Sequence, residues 1–282
     1  MTLVLAAADE QRVLRGLADE RFDVGIQLHG GGRNSNRVID AIGARVSAGT
    51  RTPDAPNLDR SIPYEYFQPE VFRNLETVAL VGARPVTFEP HLETTDADVI
   101  AARRQLAGDV DFDDPRPLVV MHPGASDGRR RWPSVSFAQL GDALAEAGAR
   151  IVLTGTGAEA ALVADTAARM QEPSTNATGR LDLNGLTGLL ARADVVVSND
   201  TGPLHLAEAL GRPTAGIYWC GNVINAAPSF RARHRIHMSW RLACPVCGTD
   251  RMQSRCDHHE SFVAEVPVAD VVASALELLA AR

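Results

Sequence analysis

Short apolar runs alternate with amphipathic segments along almost the whole chain. "DVGIQLH" (23–29) predicts a strand, "RNSNRVIDAIGA" a helix and "RVSAG" a further short strand. Residues 51–63, "RTPDAPNLDRSIP", are dense in Pro and Asp and predict a loop. "YEYFQPEVFRNLETVALVGA" takes helical spacing after its Pro, and "DADVIAARRQLAG" is a second helix candidate. The stretch "DFDDPRP" then reads as a linker, which sets a domain boundary between residues 112 and 113. Beyond it the alternation is cleaner. "PLVVMHP", "RIVLTG", "DVVVSN" and "PTAGIYW" predict strands. "SVSFAQLGDALAEAG", "AEAALVADTAARM", "LNGLTGLLARA", "PLHLAEALG" and "VADVVASALELLAAR" predict helices, the first capped by Ser134 or Ser136. Strands and helices alternating at this spacing imply an α/β fold with parallel sheets. Right-handed crossovers then bring every strand's carboxyl end to one edge, where such sheets bind ligands. The terminal helix (267–281) is expected to pack back on the N-terminal domain.

Composition narrows the chemistry. The chain has 282 residues, enough for one large or two ordinary domains. Aromatics make up only 5%, so the core must be built from Ala, Val and Leu. All 28 basic residues are Arg. The net charge of −7 argues against a general nucleic-acid surface, so an anion site must be a local gathering of Arg and backbone N–H groups. No apolar run approaches the roughly 20 residues of a membrane span. The opening "MTLVLAAADEQ" has no basic region and makes a poor signal peptide, which points to the cytoplasm and leaves peripheral membrane attachment open.

Three strand-to-helix turns fall on the expected ligand edge. The first, "HPGASDGRRRWP" (122–133), joins small residues to three consecutive Arg. Ser126 can donate a hydroxyl and guanidinium groups clamp phosphate oxygens, although a solvated Arg loop is the plainer reading. The second, "LTGTGAEAAL", carries Glu159. That carboxylate is either a favourable charge in a first helical turn or an acceptor for ribose hydroxyls. The third is "SNDTGPLHLAEALG" (198–211), in which Asp200 or Thr201 can cap a helix. Gly202 there leaves the helix N-terminus bare, and His205 lies one turn in. None of the three is a G-x-G-x-x-G or Walker motif, so the residues alone indicate a phosphorylated small molecule of nucleotide type.

"HPGAS…RRWP…FAQL", "IVLTGTGAE" and "ADVVVSNDTGPLHLAEALGRP", in that order, resemble glycosyltransferase family 9, the ADP-heptose:lipopolysaccharide heptosyltransferases, over about residues 10 to 280. The resemblance implies a GT-B fold, two Rossmann-like domains with parallel sheets. Residues 1–112 would be the acceptor-side domain and 113–282 the donor domain. It also implies transfer of a heptose-like sugar from a nucleoside diphosphate to a glycan or glycolipid acceptor, without a cofactor. Ser126 and Arg130 would then hold the diphosphate; the family usually has Lys at the position of Arg130. Glu159 would meet the ribose or base, and Asp200, Thr201, Gly202 and His205 would line the sugar and phosphates. "ERFDVGIQLHGGGRNSN" resembles a later strand and turn of the family's first domain, with His29, Gly30 and Arg33 near the cleft. The family opens with a strand and a Gly-Asp turn, roughly "GALGD", that supplies its proposed base. This sequence begins beyond that point, so the N-terminal domain is expected to be incomplete and the base unassigned, with Asp23 and His29 as nearby candidates. A catalytically silent nucleotide-sugar binding module and a GT-B nucleotide-sugar epimerase are the alternatives.

Of the four cysteines, three cluster in "CPVCGTDRMQSRCDHH". Cys244, Cys247, Cys256 and His258 have residue types suited to a structural zinc ion, with Cys-x-His tighter than common spacings; the alternative is a set of reduced thiols or one disulfide.

Overall fold

The computed structural model describes residues 7–282. The opening apolar residues 1–6 lie outside them. The chain divides into two compact units, one ending at Phe88 and one running from Glu89 to Arg282.

The first unit runs α1 (Ala7–Asp19), β1 (Val24–Gln27), α2 (Ser35–Ile42), β2 (Val46–Arg51), β3 (Arg60–Pro63) and α3 (Glu70–Ala79). Its three strands are parallel in the order β1-β2-β3. β3 lies inside the stretch expected to be a loop. Its sequence, Arg-Ser-Ile-Pro, has a single large aliphatic residue, and its Pro is tolerated because it ends an edge strand. The loop leaving β3 is fixed by Arg73 of α3. Its guanidinium is buried, donates to the carbonyls of Glu65, Tyr66 and Gln68, and lies 4.7 Å over the Tyr64 ring.

The second unit opens with α4 (Asp96–Gln105), then β4 (Leu118–His122), α5 (Ser134–Glu146), β5 (Arg150–Leu153), α6 (Ala160–Arg169), β6 (Ser174–Asn176), α7 (Leu183–Arg192), β7 (Val195–Asn199), α8 (Gly202–Ala209), β8 (Thr214–Trp219), α9 (Cys220–Ala226), β9 (His234–Ser239) and α10 (Val268–Ala280). Its six strands are all parallel, in the order β6-β5-β4-β7-β8-β9. Counted from β4, that is the 3-2-1-4-5-6 order of a dinucleotide-binding Rossmann sheet. The alternation of a pleated strand sorts the core into two layers. Val119, Met121, Ile151, Leu153, Val195 and Val197 face α5, α6 and α10. Leu118, Val120, Val152 and Val196 face α4, α7 and α8.

One expectation changes. The boundary falls after Phe88, not at 112/113, because Ala102 and Leu106 of α4 and the following Phe112 belong to the second of these layers, beside Leu189 and Leu190 of α7. α10 places Val271, Ala275 and Leu278 in the first layer. The capping of α5 also differs. Pro133 occupies the N-cap position and no side chain caps it. The sequence does not anticipate α1, β6, α9 and β9; β6 is three polar residues at an edge, and β9 is an edge strand with only Ile236 and Met238 apolar.

A fragment of residues 89–282 should therefore unfold in one cooperative transition. A fragment of 113–282 should not, since it loses Leu106 and Phe112 at about 1.5–3 kcal/mol each, a large share of a typical ~5–15 kcal/mol stability. Urea denaturation followed by circular dichroism decides it; equal stability of the two fragments would place the boundary back at 112.

Candidate functional site

Because every strand of the second sheet runs the same way, the turns after β4, β5 and β7 emerge on one rim. The chain leaves β4 for α5 on one face and leaves β7 for α8 on the other. The two adjacent strands thus open a crevice between their turns, the switch point at which such sheets take ligands.

In the first turn the three Arg separate by partner. Arg129 folds back on Asp127, its Nε 2.8 Å from Oδ1, and Arg131 donates to the Ala125 carbonyl at 2.9 and 2.6 Å. Arg130 reaches across the crevice. Its Nη1 donates to the carbonyl and to Oδ2 of Asp200, both at 3.2 Å, and its Nη2 lies 3.2 Å from Ser126 Oγ. One guanidinium therefore joins the first turn to the third. Asn199 makes a second junction: its amide donates to the Pro123 carbonyl at 2.8 Å and its oxygen accepts from Trp132 N at 2.9 Å. Trp132, fully buried, closes the turn by donating its indole N–H to Val266 O and stacking edge-on against Phe137. Neither Asn199 nor Trp132 was singled out as a site residue in the sequence, and both act by holding the turns in register.

Asp200 is the hub of the third turn. Its carboxylate is 3% exposed and meets Arg130, His205 Nε2 at 3.1 Å and Asn222 Nδ2 at 3.0 Å. Burial by itself would raise this carboxyl. The hydrogen bonds from His205 and Asn222, with the charges of His205 and Arg130, outweigh burial and hold it below its ordinary value. The His205 ring bridges two acids, with Glu208 Oε2 3.1 Å from Nδ1. Burial opposes its charge, but the bonds to Asp200 and Glu208 prevail and push it up to about 9. It is an imidazolium at neutral pH, with 40% of its side chain open to solvent. Arg130 is 26% open. Behind them Tyr218 donates to Glu208, and burial beside that acid pushes the phenol well up. Neither expected side-chain cap forms: Thr201 is the N-cap of α8 without a side-chain hydrogen bond, and Asp200 is engaged elsewhere. The N-terminus of α8 is bare as expected, and a side chain added at Gly202 would meet no protein atom within 4 Å. Two cations, a hydroxyl and a helix end thus converge on one crevice, an arrangement that can neutralise a diphosphate.

The second turn touches this group from behind. Glu159 accepts from the backbone N–H and hydroxyl of Thr156, so it completes a capping box. It is 11% exposed, lies 4.0 Å from His122 Nε2, and packs so close to Gly124 that a Cβ there would stand 2.1 Å from its Oε1. Burial keeps His122 neutral, lowering it against the pull of Glu159. The contacts of Glu159 within the protein are this capping and the bracing of Gly124.

In the first unit, Asp23 precedes β1 and pairs with Arg45 at the amino end of the sheet, the rim opposite a ligand edge, which removes it as a base candidate. His29 is exposed at the carboxyl end of β1, where its carbonyl accepts from Gln27 and Ser35; Gly30 follows it, and Arg33 pairs with Asp54 in the same loop region.

The cysteines and histidine named from the sequence do come together. The ligating atoms of Cys244, Cys247, Cys256 and His258 lie within 4.8 Å of one another, all three cysteines are free thiols, and the group could hold a metal ion.

The fold is that of the GT-B class, with a Rossmann-type sheet carrying the crevice at its switch point. The chain belongs to glycosyltransferase family 9 (heptosyltransferase), whose model matches residues 11–239. It is 32% identical over 134 residues to lipooligosaccharide heptosyltransferase 2 of Haemophilus ducreyi, a match covering 46% of this chain and 38% of that protein. The match to the Salmonella typhimurium lipopolysaccharide heptosyltransferase 2 is 29% over 134 residues, 46% of this chain and 37% of that one. The chain thus spans well under two thirds of these relatives' length. A glycosyl transferase family 9 structure from Veillonella parvula superposes with a TM-score of 0.77 at 18% identity, covering 98% of this chain and 79% of the other.

The elevated His205 gives the fold a pH signature. The folded protein keeps a proton that the unfolded chain releases near 6.5, so the stabilisation is complete below about 6.5 and is lost as pH rises through about 9. Melting temperatures of the wild type and His205→Gln should converge across that window; a constant gap between them would show that His205 carries no such charge.

Proposed function

We propose that the second unit binds a nucleoside-diphosphate sugar and that the chain transfers a heptose-like sugar from it to a glycan or glycolipid acceptor. The observation that carries this reading is the junction of Arg130 with Ser126 and Asp200 across the switch-point crevice, beside the His205 imidazolium. Departure of a nucleoside diphosphate from an anomeric carbon develops negative charge on its terminal phosphate. Preoriented N–H groups that strengthen their hold as that charge grows lower the barrier. Arg130, His205, the Ser126 hydroxyl and the Gly202 N–H are assigned that task, and Asp200 and Asn199 position them. No metal is called on for the transfer, since guanidinium, imidazolium and helix end supply the positive charge. The acceptor hydroxyl needs a base; His29, at the carboxyl end of β1, is the candidate in the first unit. Among the described residues no helix is long and apolar enough to cross a membrane. We place the enzyme in the cytoplasm, with a lipid-linked acceptor bringing it to the inner membrane face, and without a nucleic-acid partner. The Cys244–Cys247–Cys256–His258 group is assigned a structural zinc ion.

Isothermal titration with ADP, GDP and UDP, and with ADP-heptose, tests the donor assignment. ADP should bind in preference to the other two, and Arg130→Ala should weaken it at least about tenfold, the scale of losing a charge-assisted phosphate contact of ~1.5–3 kcal/mol. No saturable binding of any nucleotide would end the reading. Binding of ADP-heptose without transfer to a heptose-acceptor glycolipid would convert it to that of a binding module.

A further inference from the structure

The 28 residues between β9 and α10 (240–267) contain no helix or strand, only an isolated bridge between Ala243 and Asp250. Structureless connections of this length are uncommon in compact units and need a reason. An apolar core holds only its far end, at Phe262, Val263 and Val266; between Cys244, which is buried, and residue 262 no residue is buried. Val246 and Met252 are exposed.

What the segment has instead is its ligand set. Cys244 and Cys247 sit on a tight knuckle in which Gly248 N donates to Cys244 O and Cys244 N donates to Thr249 O. The knuckle turns through Gly248 at φ +73°, a left-handed conformation that suits glycine. Arg251 Nη1 donates to Cys256 O and ties the returning chain to it. His258 Nδ1 is buried and has no hydrogen-bond partner among the described residues, an orphaned lone pair or N–H that would otherwise be costly. Tetrahedral zinc at ~2.3 Å from each sulfur sets the sulfurs roughly 3.8 Å apart, compatible with ligating atoms all within 4.8 Å of one another.

The far end of this segment is joined to the anion turn. Phe262 N donates to Arg129 O at 2.8 Å, Ser261 Oγ donates to Arg131 O at 2.6 Å, and the His259 carbonyl lies 3.8 Å from where a Gly128 side chain would begin. The two carbonyls so held belong to the residues on either side of Arg130. Phe262 is itself clamped from the sheet side by the Trp219 ring at 5.4 Å.

Resting on the donor-site reading above, we propose that a zinc ion bound by Cys244, Cys247, Cys256 and His258 is a positioning element of the donor site: it orders the 244–262 segment, which then fixes the backbone on both sides of Arg130. The metal is distinct from the transfer chemistry. It sets where the guanidinium points, as outer-shell partners orient first-shell ligands in metal sites.

The test uses the full chain. Purified protein should carry one zinc per chain by mass spectrometry, and cobalt substituted for it should give the visible bands of a tetrahedral thiolate centre. Stripping the metal with a chelator should open Arg251 and Arg255 to trypsin, leave the far-ultraviolet dichroism of the sheet in place, and weaken ADP binding on the order of tenfold. Added zinc should restore both. Cys247→Ser and His258→Ala should reproduce the stripped state, and Cys220→Ser, outside the cluster, should not. Absence of stoichiometric zinc, or a stripped protein whose loop resists trypsin and whose ADP affinity is unchanged, overturns the proposal. If the zinc-loaded protein binds no nucleotide, the donor-site reading fails instead, and the trypsin result still reports on the metal.

Discussion

One buried carboxylate organises the crevice. Asp200 stands where burial should keep a carboxyl neutral, yet two cations and an amide hold it charged. Removing one partner of such a pair commonly costs ~3–5 kcal/mol, because the other charge is left stranded. Here the cost is shared by groups from separate parts of the chain: Arg130 from the turn after β4, His205 from α8 and Asn222 from α9. The arrangement carries a tension. An acid at the centre of an anion site offsets part of the charge it gathers. It is tolerable because Asp200 lies behind Arg130 and His205, which turn their solvent-facing sides outward, while their alignment is fixed before any ligand arrives.

The sheet makes that alignment reproducible. Val120 pairs with Val196 and His122 with Ser198, so the two turns leave adjacent strands at the same height. Asn199 then bonds to both ends of the first turn, at Pro123 and Trp132, and Trp132 anchors it to the segment before α10. The polar groups of the site are therefore spaced by backbone register and a buried indole rather than by surface side chains, which carry far more rotamer freedom.

The C-terminal half was largely legible in the sequence because its strands are buried on both faces and read as unbroken runs such as "LVVMH" and "VVVSN". Ser126, Asp200 and His205 could be named from turn chemistry at the ends of those runs, Arg130 only through the family resemblance, and the structure brings the four together. Other features were hidden for physical reasons. β6 and β9 are edge strands: β6 is three polar residues, and β9 has only Ile236 and Met238 as apolar positions, too short a signal to stand out. α4 was assigned to the wrong unit because "DFDDPRP" has linker composition, whereas Phe112 within it is a core residue. Which of three adjacent Arg faces the crevice depended on Asp127 and the Ala125 carbonyl capturing the other two, a long-range outcome that spacing does not encode. That Glu159 braces Gly124 is likewise a long-range packing outcome with no local signal in the sequence.

The junction of Arg130 with Asp200 closes a stretch of 70 residues that includes β5, β6 and their helices. Any molecule seated across that junction clips together the two ends of this long excursion, so it can be retained only where half the sheet is already assembled. Ligand affinity and global integrity are thereby coupled through a single contact, and occupancy raises resistance to unfolding in proportion to the logarithm of ligand concentration once saturation is exceeded. A cell rich in whatever ligand seats there would carry a sturdier pool of this protein than one depleted of it.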